Sequence, residues 1–294
     1  EANNAMRNMM EGSRFGVHID VDSIVPTVEG IIDSIFRHQD ALLPLAHLKK
    51  PDDYTFHHSV SVCALLVAFG RSMKLPKEAI RDLALGGILH DISNTSIPES
   101  LINKPGKLSE GEFIAMKEHV NEGVKLVSGL NALSPIVMEV ITQHHERLDG
   151  SGYPSGKAGK EISLYGQMAG IVDVYDAITS NRPYHRGMSP TQALKKLLEW
   201  SDHHFDPQLV HSFIRAIGIY PSGTLVRLES NRMGIVLEQN TGKLLEPVVK
   251  VFYHAGRQHY IPPEEVDLSK GGDRVDSVER FEKWNIDPVQ WLQI

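Results

Sequence analysis

One cysteine is all this chain holds, which excludes an intramolecular disulfide. Cys63 lies in the apolar run Val62-Cys63-Ala64-Leu65-Leu66-Val67, with no basic neighbour to stabilise a thiolate. It therefore reads as a buried, inert thiol in a reducing compartment. No apolar run of about 18 residues occurs, which excludes a membrane-spanning helix. No charged n-region followed by an apolar h-region marks a signal peptide, so the expected location is the cytoplasm. Basic charge is not in excess either: 30 Lys and Arg face 37 Asp and Glu, a net charge of -7. The field of the whole chain disfavours a long nucleic acid. A small anionic ligand stays compatible, because bound cations reverse the field locally. Repeats and low-complexity tracts are absent. So is an initiator methionine: the polar opening Glu1-Ala2-Asn3-Asn4-Ala5 reads as a fragment of a longer protein, with 1–27 as its N-terminal segment.

The 294 residues, 41% of them hydrophobic, suffice for a large core with an appendage. Up to about residue 220 the periodicity is helical. Val28, Ile31, Ile32, Ile35 and Phe36 predict a helix from Val25 to Ala46, a possible homodimer face although no sustained heptad supports one. Asp52 or Asp53 would cap a helix running through His58 to Met73. Pro76 opens one to His90, and Ser109 one through His119 and Val127. Ser134-Pro135 begins the helix expected to bear His144 and His145, Ser163 that of Asp173, and Ser189-Pro190 one to Trp200. Loops are expected over 93–107 and 148–162. Beyond Pro221 the runs 225–228, 234–237 and 247–253 are β-branched and separated by turn signals. Phe281, Trp284 and Trp291 are expected to pack this end onto the helical body, with an interaction surface as the alternative. The fold class is mainly α: a helical bundle with a small C-terminal antiparallel β appendage.

Five histidines and two aspartates carry the chemistry: His58, His90, Asp91, His119, His144, His145 and Asp173. Imidazoles and carboxylates at this density suit borderline transition metals. A carboxylate beside an imidazole, as in His90-Asp91, can bridge two cations while the imidazole binds one. Asp173 sits in an otherwise apolar stretch, where a bare carboxylate is costly unless paired or coordinated. Asp176, three residues on, could share its face. Taken singly each has an ordinary reading: a lone histidine is more often satisfied in a core or exposed, as His57, His203 and His204 are expected to be. His144 and His145 cannot share one helix face, since consecutive side chains point about 100° apart. They can still converge if the helix runs into the centre of the cluster or one imidazole reaches across its edge.

In combination the order of motifs is specific. His90-Asp91, His144-His145-Glu146 and Asp149-Gly150-Ser151-Gly152-Tyr153-Pro154 strongly resemble the HD-GYP family, a branch of the metal-dependent HD phosphohydrolases. Asn103 to Leu108, Asp173 to Ala177 and Thr179 to Tyr184 continue the likeness. The resemblance implies an HD-type helical bundle over 28–221, with 222–294 as the β-rich extension. It implies hydrolysis of a cyclic dinucleotide, cyclic di-GMP or the mixed cyclic GMP-AMP, to a linear dinucleotide and on to mononucleotides. It also implies two divalent cations, with Fe or Mn favoured and Ni or Zn as alternatives. His58, His90, Asp91 and Asp173 would hold one, Asp91, His119, His144 and His145 the other, and a bridging hydroxide would attack phosphorus. Tyr153 and Arg182 match positions that contact substrate, and His185, standing where a basic residue is usual, can contact a phosphate when protonated. Arg182 can equally pair with Asp173 or Asp176, and Tyr153 can simply pack its loop.

Besides His185, two departures stand out. Asn94 occupies the usual lysine position, so a hydrogen-bond donor replaces a charge that would touch phosphate or aid the leaving group. Tyr54 stands where some members carry a glutamate for a third metal, so two metals are expected. The main expectation is a cyclic dinucleotide phosphodiesterase. The alternative is a weakly active or inactive module that binds a cyclic dinucleotide, or a protein partner through the Tyr153 loop. An HD hydrolase of another phosphate ester would not require the Gly-Tyr-Pro loop.

Overall fold

The computed structural model describes residues 21–37, 54–102, 104–128, 133–180, 186–240 and 242–291. Asp52, Asp53, Arg182, His185 and the end of the first expected helix, to Ala46, lie outside these described residues. So does the side chain of Tyr54.

The helical part is built around α2 (Tyr54–Ser72), which follows α1 (Val25–Arg37). From Ser61 to Gly70 every residue of α2 is buried. A helix apolar on all sides must be covered on all sides. One side of α2, with Cys63, Ala64 and Val67, packs with Val28, Ile32 and Ile35 of α1 and with α3 (Lys77–Leu89). The other side, with Val62, Leu66 and Phe69, meets α7 (Leu164–Thr179), α8 (Pro190–Trp200) and α9 (Pro207–Ile217). The expected loop 93–107 contains a 3-10 turn and a short helix, α4 (Glu99–Ile102). It leads to α5 (Glu110–Ser128) and α6 (Pro135–Gln143).

Caps set these boundaries. Ser134, Ser163 and Ser189 each accept a backbone N–H from the first turn that follows, and Asp206 accepts two at the start of α9. Such side chains replace hydrogen bonds that the helix itself cannot make. Among the described residues, no helix is long and apolar enough to cross a membrane.

Five antiparallel strands follow, β1 (Leu225–Leu228), β2 (Arg232–Glu238), β3 (Val248–His254), β4 (His259–Asp267) and β5 (Val275–Val278), in the spatial order β4-β3-β2-β1-β5. The sequence pattern predicts only the first three. Pro262 and Pro263 disguise β4, and they are tolerated because β4 is an edge strand. β5 is too short for its alternation to register.

One expectation is corrected here. Among the described residues, Phe281, Trp284 and Trp291 pack on a face of the sheet itself, against Leu225, Ile235 and Phe252, where the helical body was expected. Trp291 stacks on Phe252 with ring centroids 4.0 Å apart and planes 4° apart. This sheet buries apolar side chains on both faces, and the C-terminal segment covers the one that carries Leu225, Ile235 and Phe252.

Candidate metal centre

All seven metal-ligand candidates meet at one place. His58 comes from α2, His119 from α5 and Asp173 from α7. His90 is the C-cap of α3, with Asp91 immediately after it. The helix expected to bear His144 and His145 stops at Gln143, so His144 is its cap and His145 lies in the turn beyond. Leaving the helix removes the 100° problem, and both imidazoles turn toward the cluster. They form two compact groups: Asp91 with His119, His144 and His145, and His58 with His90 and Asp173.

Asp91 stands between the groups. Its Oδ1 lies 3.4 Å from His119 Nε2 and 3.9 Å from His144 Nε2. Its Oδ2 lies 3.4 Å from His90 Nε2 and 3.8 Å from His58 Nε2. Asp173 Oδ1 is 3.1 Å from His58 Nε2, and its Oδ2 is 3.6 Å from His145 Nδ1.

The tautomers test whether cations fit. Nδ1 of His90 donates to the Gly87 carbonyl at 2.8 Å, that of His119 to Met116 at 2.7 Å, and that of His144 to Ile141 at 2.9 Å. Each bond places the proton on Nδ1 and leaves a lone pair on Nε2. Those three Nε2 atoms are buried and have no hydrogen-bond partner. A lone pair aimed at a carboxylate oxygen is repulsive unless a cation lies between them. The donor set therefore fits divalent metal ions, as nitrogen and oxygen ligands do for first-row metals.

The electrostatics agree. Burial works against ionising Asp91, yet the imidazoles of His90, His119 and His58 hold its carboxyl well below the usual range. Burial likewise opposes a charge on His58, but hydrogen bonds to Asp173 and Asp176 carry it up to about 9. His144 is pushed down to about 3 by burial and by His90, and His145 is also lowered by burial and by His144. The two buried carboxylates thus demand positive charge, which His144 and His145 do not provide and which His58 and His90 provide only by taking up protons. A divalent cation meets that demand while displacing the protons.

Two supporting residues were not assigned from sequence. Asp176 accepts the Nδ1–H of His58 at 2.6 Å and orients its Nε2 toward the cluster. Its spacing from Asp173 was the available signal. Glu146 accepts the backbone N–H of Ser155 at 2.8 Å and of Lys157 at 3.0 Å, tying down the Gly-Tyr-Pro loop. Only its place in the motif hinted at that. Gly152 is obligatory: a Cβ there would come within 2.5 Å of the backbone of His145, Glu146 and Arg147. This closeness lays the Tyr153 ring on His145, with centroids 4.5 Å apart and planes 30° apart. Asn94 is half-buried just past Asp91.

A family model for the HD domain matches residues 35–209. The chain belongs to the HD domain family, in its HD-GYP branch. It is 44% identical over 283 residues to the cyclic di-GMP phosphodiesterase PA4108 of Pseudomonas aeruginosa, covering 96% of this chain and 68% of that protein. It is 35% identical over 166 residues to 3'3'-cGAMP-specific phosphodiesterase 1 of Vibrio cholerae, covering 55% of this chain and 38% of that protein. Among solved structures, Bd1817, an HDG"Y"P protein of Bdellovibrio bacteriovorus, superposes with a TM-score of 0.59 at 22% identity, over 72% of this chain and 67% of that one. That superposition establishes the HD-type fold.

Proposed function

We propose that this HD-GYP chain is a metal-dependent phosphodiesterase that opens a cyclic dinucleotide to its linear form, with cyclic di-GMP as the preferred substrate. The observation that carries the reading is the set of three buried Nε2 lone pairs around the two-sided Asp91 carboxylate. The 44% identity over nearly the whole chain to a cyclic di-GMP phosphodiesterase supports the choice of substrate. We assign the hydrolase to residues 28–221 and place it in the cytoplasm, where Cys63 would stay reduced.

Two divalent cations held at the cluster, Fe or Mn by preference, would supply Lewis acidity to a bound water and to the phosphoryl oxygens. The chain's own residues prepare the site for them. Asp91 shares its two oxygens between the groups, and Asp173 closes the site from α7. The Gly87, Met116 and Ile141 carbonyls hold three imidazoles in the tautomer that presents Nε2. Asp176 does the same for His58. Tyr153 shields the His145 side of the cluster from water. Arg182 is assigned to the phosphates by motif position, His185 would join it when protonated, and Asn94 donates a hydrogen bond where a lysine would bring charge.

The test is turnover of cyclic di-GMP and of 3'3'-cyclic GMP-AMP by anaerobically purified, metal-analysed protein, beside the double variant His90→Ala/Asp91→Ala. The expected result is two metals per chain, a linear product and loss of both in the variant. Equal activity in the variant would sink the assignment. Asn94 favours a second reading, a binding module with little turnover. Stoichiometric nucleotide binding without product, in protein holding two metals, would establish it. Asn94→Lys should then raise turnover.

A further inference from the structure

An aromatic line leads outward from the cluster. The Tyr153 ring, stacked on His145, also stands edge-on to His119 at 6.2 Å. Beyond it Phe113 of α5 is edge-on to Tyr153, with centroids 6.1 Å apart and planes at 82°. Phe113 is 45% exposed although it is a large apolar side chain. Lys117, one helical turn further along α5, shares its face. The Lys117 ammonium lies 4.5 Å from the Phe113 ring centroid and 5.3 Å from that of Tyr153.

Three of the four carboxylates on α5 are engaged elsewhere. Glu112 pairs with Lys104 at 2.6 Å, Glu122 with Lys125 at 2.6 Å, and Glu118 accepts from Asn121 at 3.1 Å. Among the described residues no carboxylate lies within ion-pair distance of Lys117. Its charge is held over two rings at the rim of a site whose usual lysine position is Asn94.

We propose that Phe113 and Lys117, beside the Tyr153 ring, form the subsite for the half of the substrate that is not being cleaved. This rests on the cyclic dinucleotide reading above. Such a substrate carries two phosphodiesters, of which cations held by the ligand cluster would engage one. The other phosphate and its purine need a cation and a flat apolar surface nearby. The exposed Phe113 ring supplies the surface, because every purine has a π-face to stack. Lys117 supplies the cation, as a point charge suited to a phosphate oxygen. The ring contacts hold the ammonium in place beforehand. Lys117 thus returns to the site a positive charge that Asn94 does not bring, on the binding side of the reaction.

The experiment compares Lys117→Met, Lys117→Arg and Phe113→Ala with the parent, all metal-loaded, using cyclic di-GMP. Lys117→Met and Phe113→Ala should each raise KM roughly tenfold with kcat within about twofold, since one stacked base or one ion pair contributes on that order. Lys117→Arg should keep KM near the parent value. Independently of turnover, a cyclic dinucleotide carrying 2-aminopurine should lose fluorescence on binding the parent and keep it with Phe113→Ala. Unchanged KM in both disruptive variants, in protein that cleaves cyclic di-GMP, overturns the subsite alone. A parent that cleaves bis(p-nitrophenyl) phosphate but neither binds nor cleaves a cyclic dinucleotide overturns the functional reading, and the subsite with it.

Discussion

The helical body and the β appendage bury charge in opposite ways. In the appendage, the buried Asp273 carboxylate accepts from the Ser230 backbone and hydroxyl, the Arg232 guanidinium and the Arg274 backbone. Burial opposes its ionisation, and those donors bring its pKa below the ordinary value. That carboxylate is finished within the chain. In the body, Asp91 and Asp173 face imidazole nitrogens of which three have no partner. An incomplete set of buried polar groups is costly, so its persistence marks the part of the molecule built for a ligand. The appendage spends its apolar surface on both faces of one sheet and carries no comparable cluster among its described residues.

The sharpest way to break this contrast is Asp91→Ala. It removes the carboxylate shared by both groups, so metal analysis should fall from two ions toward none. Turnover should drop on the order of 10²- to 10³-fold or more. Retention of both ions would mean that the two groups do not depend on a shared oxygen. Next in size is Asp176→Asn, which weakens the hold on His58 without touching the other group. Losing an orienting carboxylate should cost about 10- to 100-fold in affinity for one cation, read by titration against a chelator. Loss of both ions together would show that the groups are not separable.

Within the appendage, Phe252→Ala removes a fully buried ring under Trp291 and should destabilise the sheet by about 3–5 kcal/mol. Trp fluorescence would follow that unfolding, and metal content should stay at two. A parallel loss of metal would erase the distinction between the regions. The smallest effect concerns Glu112, whose carboxyl is held at about 2 by its hydrogen bond from Lys104 and by Ser109. Its folded pKa lies below the unfolded one, so the stabilisation is complete above pH about 4.5 and is lost as pH falls toward 2. Glu112→Gln should therefore narrow the stability difference between neutral and acid pH, and only slightly because the pair is exposed. An acid unfolding curve identical to the parent would show that the pair contributes nothing.

Much of the fold was readable because its signals are local. Ser134, Ser163 and Ser189 announce helix starts through hydrogen bonds made within the next turn. Apolar spacing on α1 and α3 follows from one face being buried. What escaped depends on neighbours distant in sequence. β4 reads poorly because Pro262 and Pro263 are permitted by its edge position, and that position is set by β3. Trp284 and Trp291 look the same in sequence whether they cover the sheet or the helices.

The sequence by itself determined the residue types of the metal site and their order along the chain. Imidazole and carboxylate chemistry is a property of the side chains, and the HD-GYP motifs carry it wherever they fold. Only the tertiary structure decided which atoms face one another. It ended α6 at Gln143 so that His144 and His145 both turn inward. It aimed the two oxygens of Asp91 at different imidazoles, and it brought Asp176 of α7 behind His58 of α2. Those relations join residues far apart in the chain, and close packing, not local periodicity, sets their distances.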